Sequence, residues 1–254
     1  MQARYRGATR RSTQGLRRAV VRCTEAVTFR SLFWDWLLGR IAPVLLFAGA
    51  ALVQALAATV AQPEAGESLR GTLHFAQACG SLFFFVLLTL AYVTRLPRRT
   101  GRREPLVVLV VLLTTFGSVA GAALPRRPNP ALDVAGLALL VAGTGYSLWA
   151  MTHLRRAFSI LPEARSLVTT GPYALSRHPL YLAETVAMLG VVLPLADARL
   201  VLVLPFVFGQ WLRIGWEEGV IASAFPEHAE YASRVPRYFP WFRRSARPPT
   251  SKTT

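Results

Sequence analysis

One polar stretch divides this apolar sequence: Leu167-Val-Thr-Thr-Gly-Pro-Tyr-Ala-Leu-Ser-Arg-His-Pro-Leu-Tyr181. Gly171-Pro172 is a turn signal, and Pro179 stands where a helix can begin. Arg177 and His178 therefore precede a helix N-terminus, whose unpaired N–H groups favour anions. A cation and an imidazole at this position predict a site for a carboxylate or a phosphate. The alternative is that Arg177 anchors the membrane boundary and His178 is a hydrogen-bonded loop residue.

The rest of the chain is unusually apolar. Of its 254 residues, 53% are hydrophobic, and the formal net charge is +16. The apolar residues form runs of nearly the length of a bilayer span, so we expect an all-α, polytopic membrane protein. About six transmembrane helices are predicted, over residues 36–61, 72–93, 105–124, 131–153, 180–196 and 200–215.

The last two predicted spans are separated by residues 197–199 alone, which indicates a tight helical hairpin. The sixth helix is predicted to run past the membrane to Ala224. The predicted organisation is a basic flexible arm (1–30), the N-terminal transmembrane helices (31–130), a core that holds a cofactor site (131–242) and a disordered tail (243–254).

The basic residues lie mainly on one side of the predicted spans. The predicted outer loops contain only Arg70, Arg126, Arg127 and Arg199. The positive-inside rule therefore places both termini and the central stretch in the cytoplasm. Because the basic segments alternate with apolar spans, their expected partner is anionic lipid, above all at the 1–30 arm, and not nucleic acid. A transit-like segment is the other interpretation of that arm.

Span four contains Gly136, Gly143 and Gly145. Small residues with this spacing usually let helices approach closely, although they also let a cofactor approach the backbone. Cys23, Cys79 and the scattered His74, His153 and His228 show no metal-ligand spacing, so we expect no metal site.

A second polar group lies near the end of the sixth span. Arg213 and Glu217 are four residues apart and share one helix face, with Glu218 beside them. Acids so close to the membrane are costly unless they are paired or functional, and an interfacial salt bridge is the plain alternative. Combined with Arg177 and His178 on the same side of the membrane, they predict a cavity of both charges that suits a zwitterionic amino acid.

Three motifs in this order resemble the isoprenylcysteine carboxyl methyltransferase family, and more distantly the phospholipid N-methyltransferases. They are the central stretch 167–181, the motif Arg213-x-x-x-Glu217-Glu218, and Tyr231-x-x-Arg234-Val-Pro236. The resemblance covers about residues 150–241. It implies a polytopic enzyme that binds S-adenosylmethionine at the cytoplasmic side of the membrane. The chain departs from the family pattern at Phe225-Pro226, where the family has Phe-Gly.

The resemblance also implies roles for individual residues. Arg213, Glu217 and Glu218 would be catalytic, with Arg213 on the polar head of the acceptor and Glu217 on the ammonium group of the cofactor. The residues implied to bind the cofactor are Arg165, Ser166, Leu167, Val168, Tyr173, Arg177, His178, Pro179, Leu180 and Glu217.

The sequence thus predicts an integral membrane methyltransferase that uses S-adenosylmethionine and acts on a lipophilic or lipid-like acceptor. Carboxyl O-methylation of a prenylcysteine-like group follows from the family name. The alternatives are a phospholipid N-methyltransferase, an NADPH-dependent sterol-type reductase with a comparable polytopic fold, and a membrane-organising protein without enzymatic activity.

Overall fold

The computed structural model describes residues 36–122, 129–195, 201 and 203–238. The predicted basic arm, the turn at 197–199 and the tail from residue 243 lie outside the described residues. The chain divides into two compact units, Met1–Pro43 and Val44–Thr254. In the first unit, Leu37–Ile41 form a short π-helical segment. The predicted divisions after residues 30, 130 and 242 stay predictions.

Helices dominate the described residues. The seven α-helices found there are α1 (Ala42–Ala61), α2 (Leu69–Thr94), α3 (Pro105–Ala122), α4 (Pro130–Leu154), α5 (Pro179–Val192), α6 (Val203–Ala224) and α7 (His228–Arg234). The bounds of α2 to α5 follow the sequence-based expectations to within four residues, and α6 ends at Ala224, as predicted. Helix α1 begins six residues after the predicted start of its span, and α7 was not predicted.

Three segments are long and apolar enough to cross a bilayer, judged by length and composition. These are Gly39–Glu64, Leu69–Thr94 and Pro130–Ala157. Pro105–Thr115 and Pro179–Leu195 are apolar but shorter. The described residues are therefore mostly helical with three candidate spans. Six spans, a hairpin formed by the last two, and the cytoplasmic placement of the site stay predictions.

Local sequence explains where the helices begin and end. Ser68 caps α2 by accepting a hydrogen bond from the Gly71 N–H at 3.0 Å, and Asn129 caps α4 in the same way, with Pro130 at the first helical position. At the other end of α4, Arg155 adopts a positive φ of 45°. This conformation is costly for any residue other than glycine. It turns the chain out of the helix.

Helices α4 and α5 pack against each other at their glycines. A methyl group added at Gly143 would lie 2.8 Å from the Ala187 nitrogen and 2.9 Å from the Ala183 carbonyl oxygen. One added at Gly136 would lie 2.7 Å from the carbonyl oxygen of Gly190. Gly136 and Gly143 therefore serve helix packing, the first of the two interpretations above, whereas Gly145 has no such contact.

An aromatic cluster joins α1, α2, α4 and the segment after α4. Phe47, Leu88, Tyr92, Met151 and Phe158 are all buried in it. The Tyr92 hydroxyl also accepts a hydrogen bond from the backbone N–H of Ile160 at 3.1 Å. This cluster fixes the start of the loop that leads from α4 to the central polar stretch.

A small two-stranded sheet was missed by the all-α prediction. β1 (Thr100–Gly101), in the basic loop after α2, pairs antiparallel with β2 (Glu163–Ala164), with Thr100 opposite Ala164. Each strand has only two residues, too few to give an alternating sequence pattern. The sheet places the basic loop against the segment that precedes the central stretch.

The packing of α4 on α5 predicts that alanine substitutions at two nearby glycines affect stability differently. Gly143→Ala should lower the free energy of unfolding by about 1–3 kcal/mol, because the new methyl group meets backbone that cannot move away cheaply. Gly145→Ala is the matched control on the same helix, since a methyl group there meets nothing within 4 Å. Denaturant titration in mild detergent measures both. Equal stability of the two variants would contradict this packing.

Candidate functional site

The central stretch folds as its sequence indicates. Gly171–Ala174 form a 3₁₀ turn, and Gly171 has a φ of 62°. The ring of His153 lies against the Gly171 Cα, so a side chain at this position would collide with it. The Ser176 side chain then accepts a hydrogen bond from the His178 N–H at 3.2 Å, and α5 begins at Pro179.

The cations of this stretch meet the acids of α6. The side chain of Glu218 is 10% exposed, and its Oε1 lies 2.9 Å from Nη1 of Arg177. The same oxygen lies 3.3 Å from Nε2 of His178. The other oxygen accepts hydrogen bonds from Arg237, with 2.8 Å between Nε and Oε2. Three basic side chains from two chain segments therefore converge on one carboxylate.

Glu217 has a different environment from its neighbour. Its Oε2 accepts a 2.6 Å hydrogen bond from the Tyr181 hydroxyl and lies 4.0 Å from Nδ1 of His178. Its side chain is 29% exposed, compared with 10% for Glu218. The carboxylate of Glu218 is thus bound by three basic side chains, whereas the carboxylate of Glu217 can still accept hydrogen bonds from a molecule in the cavity.

Arg213 lies one turn before the acids on α6 and is almost fully buried. It donates to the side chains of Gln210 at 2.9 Å, Thr114 at 3.2 Å and Glu184 at 3.4 Å, and its guanidinium lies 4.8 Å from the centre of the Tyr181 ring. Arg213 thus forms an ion pair with Glu184 on α5. The interfacial Arg213–Glu217 pair considered above is not the arrangement in this part of the chain.

Sequence reasoning missed Glu184, although a signal for it was present. It is a carboxylate within the predicted fifth span, where an ionisable residue is itself evidence of a polar site. Besides Arg213, it accepts a 2.5 Å hydrogen bond from Gln210. The cluster of Arg213, Glu184, Gln210 and Thr114 is named the inner ionic cluster below.

The contacts of the segment after α7 with the central stretch were also missed. The Pro236 carbonyl accepts a hydrogen bond from the Arg177 N–H at 3.0 Å, and the Tyr238 carbonyl accepts one from the Ser176 hydroxyl at 2.8 Å. The Tyr238 hydroxyl donates to the Tyr181 carbonyl at 3.1 Å. This segment holds the central stretch in place through backbone groups, which no sequence period reveals.

A second buried acid organises the base of the site. The side chain of Glu163 is 1% exposed and receives hydrogen bonds from Arg165 at 2.6 Å, Arg103 at 2.9 Å and Ser159 at 2.9 Å. Arg165 also donates to the Leu96 carbonyl. Arg165 is therefore committed to holding the basic loop against β2, a contact that sequence alone did not indicate.

A cavity of about 320 Å³ connects these groups. Nine of the predicted site residues line it: Ser166, Val168, Tyr173, Arg177, His178, Leu180, Arg213, Glu217 and Glu218. The other three are packed around it. Arg165 is held by Glu163, Leu167 packs against the buried cluster of Ala164, Val220 and Phe225, and Pro179 is fully buried at the start of α5. His228, which sequence reasoning left without a role, also lines the cavity.

Nearby charges and burial shift the pKa values of the acids of the site in opposite directions. Burial by itself raises the pKa of Glu218, but the hydrogen bonds from His178 and Arg237 and the nearby charge of Arg177 outweigh it and lower the pKa to about 2. The pKa of Glu163 is lowered in the same way, against burial, by Arg103, Ser159 and Arg165. Both carboxylates are therefore ionised at neutral pH.

Comparison with known proteins finds a family similar to the segment that holds this site. Residues 132–228 match the family described as "Phospholipid methyltransferase". The match contains α4, α5, α6 and most of the cavity, and it bears out the resemblance drawn from the motifs. Together with the three helices able to cross a bilayer, it indicates a membrane protein that contains a segment similar to the phospholipid methyltransferases.

Two relatives are similar over the same part of the chain. The cobalt-zinc-cadmium resistance protein CzcN of Cupriavidus metallidurans is 38% identical over 110 residues, which is 42% of this chain and 51% of the relative. The nickel-cobalt-cadmium resistance protein NccN of Alcaligenes xylosoxydans xylosoxydans is 30% identical over 114 residues, or 44% and 51%. The matched segment thus spans about half the length of each relative. Within the described residues, no group of three or more His, Cys, Asp or Glu is placed to hold a metal ion.

The lowered pKa of Glu218 predicts how stability depends on pH. Because its folded pKa of about 2 lies below the ordinary 4.5, ionisation stabilises the fold above about pH 4.5, and this contribution is lost as the pH falls towards 2. The shift corresponds to about 3 kcal/mol. Glu218→Gln should therefore be less stable than the wild type at neutral pH, and the difference should shrink below pH 4.5.

Denaturant titration across this pH range measures the difference in free energy of unfolding. Glu230→Gln is the control, since Glu230 forms an exposed pair with Arg234 on α7. A gap between wild type and Glu218→Gln that stays constant from pH 7 to pH 2 would contradict the ion-paired state of Glu218.

Proposed function

We propose that this protein is a membrane methyltransferase that uses S-adenosylmethionine to methylate a lipophilic acceptor. The family match supports methyl transfer. The observation that carries the proposal is the pair of adjacent carboxylates on α6, of which Glu218 is saturated by cations and Glu217 faces the cavity with capacity left. A cavity bordered by both charges is suited to the zwitterionic methionine end of that cofactor.

The residues around the acids fit such a group. Arg177 has a buried Nε atom without a hydrogen-bond partner in the described part of the chain, although its Nη1 is bound to Glu218. An anion in the cavity would satisfy a donor of this kind, since buried polar groups are costly when unpaired. We assign Arg177 and His178 to the carboxylate of the cofactor and Glu217 to its ammonium group.

The adenosine end has candidate residues further along the same wall. Ser166 and Val168 line the cavity, and Tyr173 borders it with its ring 7% exposed. The Tyr173 carbonyl accepts a 2.6 Å hydrogen bond from the Tyr231 hydroxyl, which fixes the backbone there. Leu180 borders the methionine end. Arg165, Leu167 and Pro179 act on the cofactor through the residues they position.

The acceptor side of the cavity is apolar. Phe84, Phe85, Leu88, Met188 and Phe206 line it, and they belong to helices α2, α5 and α6. A lipophilic acceptor would reach this wall from the bilayer and place its polar head near Arg213. A carboxyl group of a prenylcysteine-like acceptor suits the guanidinium, whereas an amine head, as in phospholipid N-methylation, suits the nearby carboxylates.

The residues of the site assist the reaction mainly by positioning and by excluding water. S-adenosylmethionine supplies a methyl group on a cationic sulfur, and transfer neutralises that charge. A dry cavity that fixes both reactants in line favours such a step over bulk water. A carboxylate or thiolate acceptor needs no base. For an amine, Glu217 is the candidate proton acceptor, because it borders the cavity with hydrogen-bonding capacity left, whereas Glu218 is bound by three basic side chains.

Cofactor preference separates the proposal from its alternatives. S-adenosylmethionine should raise the unfolding temperature of the purified full chain, and NADPH should not. The reverse result would favour the sterol-type reductase. Binding of neither would favour a membrane-organising protein, whose function should then depend on the basic arm and not on Arg177 or Glu217.

The names of both relatives favour a second candidate for the cellular role, namely resistance to cobalt, zinc, cadmium or nickel. Loss of the gene should then lower the metal concentration that stops growth. Complementation with the Glu217→Ala variant would show whether that role needs the cavity described here.

Glu217→Ala should weaken S-adenosylmethionine binding by about ten- to a hundredfold, the loss of one charge-assisted interaction of about 1.5–3 kcal/mol. Equilibrium dialysis with labelled cofactor measures this, with Glu230→Ala on the exposed face of α7 as the control. Equal affinity of wild type and Glu217→Ala would remove Glu217 from the cofactor site.

Arg213→Ala should raise the acceptor KM with a smaller effect on cofactor affinity, because Arg213 lies on the acceptor side. Labelled-methyl transfer into a lipid extract from the native cell provides the assay and identifies the product. Arg213→Lys keeps the charge and should restore part of the acceptor affinity. A loss of cofactor affinity as large as the rise in KM would contradict this division of the site.

A further inference from the structure

The cavity reaches a second group of polar side chains that the methyl-transfer site does not use. Gln77 and Ser81 on α2 and Thr144 and Ser147 on α4 all line it. We name these four residues the distal polar pocket. Both helices belong to the segments long and apolar enough to span a bilayer, where polar side chains are disfavoured unless they have partners or a function.

Most of the pocket is already hydrogen-bonded, but part of it is not. The Gln77 Nε2 donates to the Ser81 Oγ at 3.0 Å and to the Thr144 Oγ1 at 3.1 Å. The Ser81 hydroxyl therefore accepts one bond and keeps its own proton to donate. Ser147 is 6% exposed, and in the part of the chain that the structure describes its hydroxyl has no protein partner.

The pocket lies on different helices from the ionic groups of the cavity, which belong to the central stretch, α5 and α6. Thr144 precedes Leu154, the last residue of α4, by about 15 Å of helix at 1.5 Å per residue. The loop after α4 leads directly to Glu163 and the central stretch. Apolar side chains, among them Phe85, Leu88 and Met188, line the cavity as well. The cavity therefore has a polar group of side chains on α2 and α4 in addition to its ionic groups and its apolar walls.

We propose that the distal polar pocket binds a hydroxyl or carbonyl group of an otherwise apolar chain. A purely hydrocarbon tail would leave the hydroxyls of Ser81 and Ser147 facing apolar atoms, at the cost of unmade hydrogen bonds. That this chain belongs to the methyl acceptor rests on the function proposed above. The binding preference itself does not, since it depends on the cavity alone.

The competing explanation is that these side chains only hold α2 to α4. The two helices are close here, because a methyl group added at Gly80 would lie 3.1 Å from the Thr144 Cγ2. The Gln77–Thr144 hydrogen bonds cross this contact and could serve packing alone. Ser147 separates the explanations, because its hydroxyl takes no part in that interhelical bond.

The test compares 1,12-dodecanediol with 1-dodecanol as probes of the full chain in lipid nanodiscs. The two differ by one terminal hydroxyl. The quantity measured is the ratio of their dissociation constants, compared between wild type and variants so that partitioning into the bilayer cancels. Ser147→Ala and Gln77→Leu should each lower the preference for the diol by about fivefold or more, the value of about one hydrogen bond.

Thr89→Val is the control, because Thr89 lies on α2, bonds to its own helix at the Phe85 carbonyl and does not border the cavity. It should leave the ratio unchanged. An unchanged ratio in Ser147→Ala and Gln77→Leu, even with a lower unfolding temperature, would assign the pocket to helix packing and overturn the proposal. So would failure of the wild type to prefer the diol.

Labelled S-adenosylmethionine binding, measured on the same samples, keeps the two proposals apart. A wild type that prefers the diol but does not bind the cofactor would overturn the methyltransferase function and leave the distal polar pocket standing. A wild type that binds the cofactor but binds both probes equally well would overturn the proposal for the distal polar pocket and leave the methyltransferase function standing.

Discussion

The site depends on one carboxylate. Glu218 on α6 holds Arg177 and His178 of the central stretch and Arg237 of the segment after α7. Removing a buried carboxylate of this kind leaves uncompensated cations behind, which is far more costly than the net value of the pair. Glu218 therefore fixes three chain segments around the cavity, and its neighbour Glu217 is left free to face it.

Helix α6 determines the order of polar groups along the cavity. Arg213 and Glu217 lie one turn apart on the same face, so the inner ionic cluster and the cation-bound acids follow each other at about 6 Å of helix rise. Glu184 on α5 neutralises much of the Arg213 charge. The walls of the cavity also include apolar side chains of α2, α5 and α6 and the distal polar pocket on α2 and α4. A small zwitterion beside the ionic groups and a long lipophilic molecule against the apolar walls agree with this lining.

The sequence predicted the parts of the structure that depend on local signals. Gly171-Pro172 and Pro179 marked a turn and a helix start, and the spacing of Arg213 and Glu217 placed them on one face. It did not predict that Arg213 pairs with Glu184 or that Tyr238 bonds to the central stretch. Those contacts join residues far apart in the chain, and neither helical period nor motif spacing contains information about them.

Arg165 and the Phe225-Pro226 turn have contacts that the resemblance did not indicate. The resemblance implied that Arg165 binds the cofactor, and the structure shows its guanidinium bound to Glu163 and to the Leu96 carbonyl. The departure from the family at Phe225-Pro226 is accommodated in the turn between α6 and α7, where the Phe225 carbonyl accepts the His228 N–H at 3.0 Å. A proline lacks an N–H group, and none is required of it in this turn.

The most direct test of the account is a double-mutant cycle of Arg177→Met and Glu218→Gln, with S-adenosylmethionine affinity as the readout. If the cationic stretch and the acidic face of α6 form one site, each single change should remove most of the binding and the double change should add little, with a coupling energy of about 1–3 kcal/mol. Effects that add to within about 0.5 kcal/mol, or a wild type that does not bind the cofactor, would contradict it.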